Sequence, residues 1–400
     1  MHVDINSCFA TIEQQANPFL RGKPVAVAAY DSPRGCILAP SIEAKKYGVA
    51  TGMRVIEGKK LCPALVILLP DPNKYRDVHL KLRKILAGYT NEFVAKSIDE
   101  FVLNLAGYPS VAELGMIGVA RQIKQKIRKN IGDWITVSIG IAPNRFLAKV
   151  ASNLKKPNGL EVIDKTNYLK VFAKLDVTDL CGIKKGYGSR LYCKGIYTAR
   201  DFYNAPLWKL KSAFKSINSY YWYLRLRGFE SDNVEFGRKS YGNSYALARP
   251  TVGEGANSVL AKLVEKMSYR LRSGGYCASG IHLTILFKNG RYWHKGVSFS
   301  EQLFATPQIL KKTRMIFDMA PKIEIRNLAV SCFGLKSIGG LQLGLFNDLE
   351  KCFKLVLSVD AINKDFGAFT ISSAQTLAAG NAVPDRIAFG GVKELEKIVF

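Results

Sequence analysis

Acidic residues inside apolar segments are the first groups in this sequence that could do chemistry. Asp4 stands between two aliphatic residues, and the adjacent pair Asp99 and Glu100 stands between an isoleucine and a phenylalanine. Burying a carboxylate costs free energy unless a cation or a hydrogen-bond donor compensates it. These acids are therefore either strand-end residues paired with lysines or ligands of Mg²⁺, which takes a few carboxylate oxygens and completes its shell with water and phosphate oxygens. The second interpretation predicts metal-assisted phosphoryl chemistry.

The charge of the chain indicates what such a site would act on. There are 58 Lys and Arg residues against 32 Asp and Glu residues, which leaves a formal net charge of +26. This excess predicts a polyanionic partner, with nucleic acid as the first interpretation and an anionic membrane surface as the second. The positive residues are spread over several segments instead of one amphipathic helix, which disfavours the membrane surface.

Other features disfavour membrane-spanning and disulfide-stabilised proteins. No apolar run approaches the roughly 20 residues that cross a bilayer, and the first residues lack the basic-then-apolar order of a secretion signal. The eight cysteines are scattered without a C-x-x-C pair, and the four histidines do not cluster. We therefore expect a soluble cytoplasmic protein with reduced thiols and without a structural zinc site.

Apolar periodicity indicates the elements that must position the acids. Apolar residues at helical spacing between Met116 and Ile131 predict an amphipathic helix, and the alternation from Ile135 to Ile141 predicts a strand after it. Short strands are also predicted around Asp4 and directly after Glu100. Helices and strands alternate in the first third without a repeated crossover unit, which predicts a mixed sheet with helices on one face. The acidic stretch 229–238 opens after a glycine and is expected to link two basic modules.

Several motifs, taken in order along the chain, resemble the Y-family translesion DNA polymerases. Residues 97–100 read Ser-Ile-Asp-Glu, which is similar to a motif of that family, and other segments match its opening and its later blocks. The fingers and residues 6–7 resemble the UmuC-like branch, whereas the later motifs resemble the DinB-like branch, so the subgroup stays open. The matching segments are 3–13, 17–18, 20–27, 43–49, 97–100, 144–152, 156–159, 195–202, 270–272 and 325–331.

The resemblance implies an α+β multidomain fold of the right-hand polymerase type. Such a fold has a mixed-sheet palm, small fingers, a helical thumb with a helix-hairpin-helix, and an α/β little finger that binds DNA. A tail of nearly balanced charge follows the little finger. The implied segments are 1–18 and 70–160 for the palm, 19–69 for the fingers, 161–228 for the thumb, 229–238 for the link, 239–337 for the little finger and 338–400 for the tail.

The resemblance also implies an activity that agrees with the acids singled out above. Asp4, Asp99 and Glu100 are implied to hold two Mg²⁺ ions, with the Ile5 carbonyl as a further ligand. The implied enzyme is a monomeric, low-fidelity, template-directed DNA polymerase that binds primer-template DNA and deoxynucleoside triphosphates and extends primers past damaged bases. The alternative is a catalytically inactive family member that binds DNA as an adaptor, although such proteins lose the acids.

Nucleotide contacts are implied at three positions. Phe9 matches the aromatic residue that packs against the sugar of the incoming nucleotide and excludes a 2′-hydroxyl, although a phenylalanine here is also typical of a plain core. Ile42 and Lys45 stand where the family usually has a tyrosine and an arginine, so a point charge replaces the planar guanidinium fork. We therefore expect weaker triphosphate binding that depends on Lys45 and Lys156.

DNA contacts are implied in the thumb and in the little finger. The thumb turn normally has two glycines whose backbone N–H groups face a phosphate, and here the second glycine is replaced by lysine. A plain connection between helices is the alternative for this turn. In the little finger, arginines in the matching motifs are expected to contact backbone phosphates and not base edges. The candidate residues are Gly182, Lys184, Lys185, Arg270, Arg272 and Arg326.

A peptide in the tail resembles the segment by which bacterial polymerases bind the sliding clamp. It consists of Gln342, Leu343, Leu345 and Phe346, with Gly344 where serine or aspartate is more usual. An extended segment of this kind presents apolar side chains to a groove on the partner. The alternative is a short strand that closes the little finger. Clamp binding would keep the enzyme at the primer without new DNA contacts.

Overall fold

The structure, a computed structural model, describes residues 1–232, 238–340, 349–367, 369–380 and 382–383. The described residues up to 232 form one compact unit, and those from 238 to 383 form a second. The division between the units falls inside the link expected at 229–238. No helix within the described ranges is both long enough and apolar enough to cross a membrane. The clamp-like peptide 342–346 lies outside the described residues.

The first unit alternates short strands and helices and ends in a run of helices. The helix expected from Met116 to Ile131 is the second part of a longer helix that is interrupted at Gly115, where φ is +67°. In chain order the elements are β1 (His2–Ile5), α1 (Cys8–Ala16), β2 (Val25–Ala28), β3 (Ile37–Pro40), α2 (Ile42–Lys46), α3 (Val55–Leu61), β4 (Val66–Leu68), α4 (Pro72–Ala87), β5 (Phe93–Ala95), β6 (Glu100–Leu103), α5 (Pro109–Asn130), β7 (Val137–Ile141), α6 (Arg145–Leu154), β8 (Leu160–Val162), α7 (Tyr168–Lys174), α8 (Lys185–Tyr192), α9 (Ala199–Asn204), α10 (Leu207–Phe214) and α11 (Asn218–Leu226).

A five-stranded sheet lies at the centre of this unit. Its strand order is β5–β6–β1–β7–β8, and β7 pairs with β8 in parallel while the other pairs are antiparallel. The prediction of a mixed sheet is therefore confirmed. Because β1 is the middle strand, its register is fixed on both sides, which holds the residues at its end in a defined place.

Different helices cover the two faces of this sheet. Val3, Ile5 and Ile139 point into an apolar core shared with α1, α4 and α5. The opposite face is approached by α6, since a Cβ atom built on Gly140 of β7 would lie only 2.0 Å from the Ala148 carbonyl oxygen. The expectation of helices on one face only was wrong, because a glycine in β7 lets the backbone of α6 reach the second face.

Two smaller cores complete the first unit. The sheet β3–β2–β4 and the helices α2 and α3 enclose a core around Ile37 and Val49 within the segment expected to form the fingers. Helices α7 to α11 enclose another core around Phe202 and Trp222. Phe146 of α6 belongs to that core and meets Trp222 edge-on, with 5.1 Å between ring centroids. Helix α6 therefore joins the central sheet to the helical part.

The second unit is a four-stranded antiparallel sheet with helices packed on one face. The strand order is β11–β10–β12–β9, and α12 and α13 contact the buried side chains of β10 and β12, such as Leu283 and Val330. This is the α/β arrangement expected for 239–337. The elements are β9 (Ser240–Thr251), α12 (Glu254–Ser273), β10 (Tyr276–Phe287), β11 (Tyr292–Leu303), α13 (Thr306–Phe317), β12 (Ile325–Ser337) and α14 (Leu349–Phe366).

Candidate active site

Strand register brings the predicted acids together where two neighbouring strands in the middle of the central sheet, β1 and β6, meet end by end. Asp4 of β1 is paired directly with Glu100 of β6, so both side chains leave the sheet on the same face. The N–H of Ile5 donates a hydrogen bond of 2.9 Å to the Asp99 carbonyl oxygen, which ties the third acid to the end of β1. Asp4 is buried, and Asp99 and Glu100 are partly exposed.

Two lysines pair with these acids. The Lys156 ammonium lies 2.8 Å from Asp4 Oδ1, and the Lys149 ammonium lies 2.8 and 2.6 Å from the two carboxylate oxygens of Glu100. Lys149 belongs to α6, and Lys156 lies in the turn that follows this helix. Two of the three acids, Asp4 and Glu100, therefore pair with lysines, as the first interpretation expects. These pairs are compatible with metal binding because both ammonium groups are partly exposed.

Burial raises the pKa of two of the acids, Asp4 and Asp99. Burial raises the pKa of Asp99 to about 6; the charges of Asp4 and Glu100 add to this rise, and the 2.5 Å hydrogen bond from Ser97 Oγ opposes it. Burial also raises the pKa of Asp4, against the opposing effect of Lys156. A divalent cation among these groups would favour their ionised forms more strongly than the lysines do.

The donor set fits a divalent cation. One ring nitrogen of His2 and one carboxylate oxygen from each of Asp4 and Glu100 lie within 4.8 Å of one another. No other group of three His, Cys, Asp or Glu donors lies this close together in the described part of the chain. Asp99 is outside this trio but close enough for its charge to interact with those of Asp4 and Glu100. Burial, aided by Lys149 and Lys156, lowers the pKa of His2 to about 3, so its imidazole is neutral.

Asn6 fixes the turn that carries Lys156. Its Oδ1 accepts hydrogen bonds from the Asn158 N–H at 2.7 Å and from Thr136 Oγ1 at 3.1 Å, and its Nδ2 donates to Ser138 Oγ at 2.9 Å. Asn6 is buried, so these bonds are shielded from water. The turn is thereby attached to Asn6, the residue that directly follows β1. This attachment positions the ammonium group of Lys156.

The charge of Lys45 interacts with those of Lys156, Asp4 and Asp99. Lys45 belongs to the short helix α2, which begins after Ser41, whose Oγ accepts a hydrogen bond from the Ala44 N–H. Desolvation and the charge of Lys156 lower the pKa of Lys45, while the charges of Asp4 and Asp99 oppose this effect. These interactions place its ammonium group near the acids. Ile42 stands at the first position of α2 and offers only apolar atoms.

Phe9 is almost completely buried below the site. It is only 1% exposed, and its ring stacks on that of Tyr75 with 4.2 Å between centroids. The Tyr75 hydroxyl donates a hydrogen bond of 2.9 Å to Glu13, which also pairs with Lys74 at 2.9 Å. Phe9 is thus part of the core, and its role as a contact of the nucleotide sugar stays a prediction. Its neighbour Cys8 is also buried, which raises the pKa of the thiol and agrees with a core residue.

The turn predicted for the thumb begins at a glycine with a left-handed backbone. Gly182 has a φ of +95°, a backbone conformation that residues other than glycine rarely adopt. A Cβ atom built on Gly182 would lie 3.3 Å from the Trp222 ring. Lys184 and Lys185 follow at the start of α8 and are exposed. The turn therefore presents two ammonium groups and the first N–H groups of a helix on the surface.

The three arginines of the second unit that were predicted to contact DNA differ in their exposure and partners. Arg326 is exposed on β12, and Arg270 is half-buried with its guanidinium 3.2 Å from the Gly242 carbonyl oxygen. Arg272 is buried, with 3% of its side chain exposed, and forms two hydrogen bonds of 2.6 and 2.8 Å to Asp360 of α14. Its expected role in DNA contact was wrong, because its donors are already used inside the protein.

Four residues near the site were not predicted as functional residues. Lys149 lies in a motif that was recognised, but its pairing with Glu100 depends on the packing of α6 across the sheet. His2 could have been suspected from the period of two along β1, which places it on the same face as Asp4, whereas Asn6 lies just after the strand. Tyr75 carries no signal in the sequence that separates it from other core residues.

Comparisons with known proteins found matches along most of the chain. The model of the impB/mucB/samB family matches residues 3–153, and that of its C-terminal domain matches residues 238–345. DNA polymerase IV 1 of Bacillus subtilis is 30% identical over 387 residues, covering 94% of this chain and 92% of that protein. DNA polymerase IV of Moorella thermoacetica is 30% identical over 389 residues, covering 95% and 96%.

A solved structure shares the fold. A Y-family DNA polymerase chimera of Dbh and Dpo4 superposes with a TM-score of 0.71 at 24% identity, covering 84% of this chain and 98% of the other. The expected right-hand multidomain fold is thereby confirmed, and the relatives decide the subgroup in favour of the DinB-like branch. The chain belongs to the Y family of DNA polymerases, on the DinB-like branch whose members include DNA polymerase IV, and it is a DNA-directed DNA polymerase.

Proposed function

We propose that this polymerase extends primers past damaged template bases with low fidelity, by two-metal transfer of deoxynucleotides. The observation that carries the proposal is the register that sets Asp4 opposite Glu100, with Asp99 tied to the end of the same strand. This arrangement offers carboxylate oxygens from adjacent strands at one sheet edge, which is what Mg²⁺ requires.

The acids and their lysines have separate roles in this proposal. Asp4, Asp99, Glu100 and the Ile5 carbonyl are the ligands for two Mg²⁺ ions. When bound, such ions lower the pKa of the primer 3′-hydroxyl and stabilise the charge on the leaving pyrophosphate. Lys156 pairs with Asp4 when no nucleotide is bound, and its ammonium group would exchange this partner for the triphosphate when the nucleotide binds.

The remaining nucleotide contacts follow from the placement of the residues. Lys45 contributes a second positive charge, and its pKa is lowered first by desolvation and then by the charge of Lys156. A triphosphate would relieve that repulsion. Phe9 limits the space beside the sugar through the edge of its ring. The apolar side chain of Ile42 adds no hydrogen bond, so we expect a modest affinity for nucleotides.

DNA is held mainly through phosphate contacts. The thumb turn with Gly182, Lys184 and Lys185 presents N–H groups and ammonium groups to one strand, and Arg270 and Arg326 contribute from the little finger. Binding of this kind weakens steeply with salt. We further propose that the enzyme acts as a monomer in the cytoplasm and that the peptide 342–346 binds a sliding clamp.

Primer extension with matched variants tests the proposal. Glu100→Ala removes one ligand and is expected to abolish extension with Mg²⁺ while DNA affinity stays within about twofold, because the phosphate contacts lie elsewhere. Asp77→Ala removes a carboxylate from the exposed face of α4, where it pairs with Lys81, and should leave both activities intact. Extension by the Glu100→Ala variant at the rate of the unmodified enzyme would refute the metal assignment.

The same assay distinguishes the adaptor alternative. An adaptor would bind primer-template DNA with its three acids intact but would not extend the primer at any Mg²⁺ concentration. A template with a damaged base tests whether the enzyme extends past the lesion. A primer with a mismatched 3′ end tests whether the enzyme proofreads. Extension past the lesion and persistence of the mismatched end are the results that we expect.

A further inference from the structure

His2 is a buried polar residue that the proposed reaction does not use. Its side chain is 1% exposed, and neither ring nitrogen has a hydrogen-bond partner among the described residues. It precedes Asp4 by two positions on β1, so both side chains leave the sheet on the same face. A buried imidazole without any partner is unfavourable, which indicates that another group completes its environment.

The surroundings of His2 limit what that group can be. His2 is paired with Gly140 of β7, and the backbone of α6 lies directly on Gly140, so the helix closes this face to bulk water. Towards the end of β1, by contrast, a ring nitrogen of His2 and carboxylate oxygens of Asp4 and Glu100 lie within 4.8 Å of one another. The two carboxylates are therefore the polar groups to which the His2 ring nitrogen lies close.

We propose that His2 is a nitrogen ligand at the carboxylate site and that it makes the site favour Mn²⁺ over Mg²⁺ more strongly than oxygen ligands alone would. The inference rests on the metal assignment of the proposed function and adds one ligand to it. Imidazole suits transition metals, whereas Mg²⁺ prefers oxygen and gives up its water reluctantly. The lone pair of one ring nitrogen and the two carboxylates form a mixed N and O donor set.

Electron spin echo measurements on bound Mn²⁺ test this ligand directly. The full chain is loaded with Mn²⁺, primer-template DNA with a dideoxy-terminated primer, and the matching deoxynucleotide. We expect modulation from a coordinated imidazole ¹⁴N, which is replaced by a ¹⁵N pattern when the unmodified protein carries ¹⁵N-histidine. This labelling requires no substitution, so the test does not depend on the folding of a variant.

A variant and its control give a second measurement. His2→Gln should lose the nitrogen modulation and should need about tenfold less Mg²⁺ to displace half of the Mn²⁺. His294→Gln, on the exposed strand β11, should behave like the unmodified protein. Absence of imidazole modulation in the unmodified protein, with Mn²⁺ bound and Mg²⁺-dependent extension intact, would overturn the role of His2 alone. Absence of both extension and Mn²⁺ binding would instead refute the proposed metal site.

Discussion

Replacing Asn6 should lower nucleotide affinity through the turn that carries Lys156. Asn6→Ala removes three buried hydrogen bonds, to Asn158, Thr136 and Ser138. At roughly 0.5–1.5 kcal/mol for each bond, the free energy of unfolding should fall by about 1.5–4.5 kcal/mol. A domain with about 5–15 kcal/mol of stability remains folded after such a loss, so kinetics can be measured.

The kinetic effect is expected in KM more than in kcat. Without Asn6 the turn is released from β1, and Lys156 no longer reaches the triphosphate in a fixed geometry. A charge-assisted hydrogen bond is worth about 1.5–3 kcal/mol, so the KM for the nucleotide should rise about ten- to a hundredfold. Single-nucleotide incorporation on an undamaged primer-template measures KM and kcat separately.

A double-mutant cycle with Lys156→Ala decides whether Asn6 acts through that lysine. If it does, adding Asn6→Ala to Lys156→Ala should change KM little further, since the contact is already lost. Asn6→Asp keeps the acceptor oxygen for the Asn158 N–H, and Ser138 can donate its hydroxyl proton, so KM should return most of the way to normal. Additive effects of the two alanine substitutions would refute this explanation.

Three further outcomes are expected. Phe9→Ala should raise the ratio of ribonucleotide to deoxyribonucleotide incorporation by about a hundredfold; a lower melting temperature with an unchanged ratio would assign Phe9 to the core alone. Gly140→Ala should destabilise the protein by about 1–3 kcal/mol in denaturant, because its Cβ meets the backbone of α6, whereas Gly186→Ala in α8 meets nothing and should be neutral or stabilising. Burial lowers the pKa of His79, so as the pH falls below about 6.5 the unfolded chain takes up a proton on this imidazole more readily than the folded chain does, and the folded state loses stability. The His79→Gln variant lacks this group and should lose stability less steeply than the unmodified protein between about pH 6.5 and 5.

The strands and the acids were predictable because their signals are local. Asp4 and Glu100 each interrupt a short apolar run, and the strands β1 and β6 are found where those runs occur. The register that pairs the two acids was not predictable from either run alone, since it depends on how β1 fits between β6 and β7. The family motifs supplied that information indirectly.

The contacts that sequence reasoning missed are those between distant segments. Lys149 reaches Glu100 across 49 positions, and Asn158 reaches Asn6 across 152. Arg272 was expected on a DNA-binding surface because it lies in a motif that resembles the little finger of the family. Its partner Asp360 lies 88 positions further on, in a helix whose packing no local pattern reveals.

The ion pair between Arg272 and Asp360 affects how the role of the tail can be studied. A shortened chain that ends before α14 would leave the Arg272 guanidinium buried without its carboxylate, and breaking a buried pair in this way typically costs about 3–5 kcal/mol. Loss of clamp stimulation in such a truncated enzyme could then reflect a damaged little finger instead of a missing docking peptide. Point substitutions at Leu345 and Phe346 avoid this ambiguity. Helix α14 is thus a structural part of the second unit, and deleting it is not a neutral way to separate tethering from the proposed DNA binding.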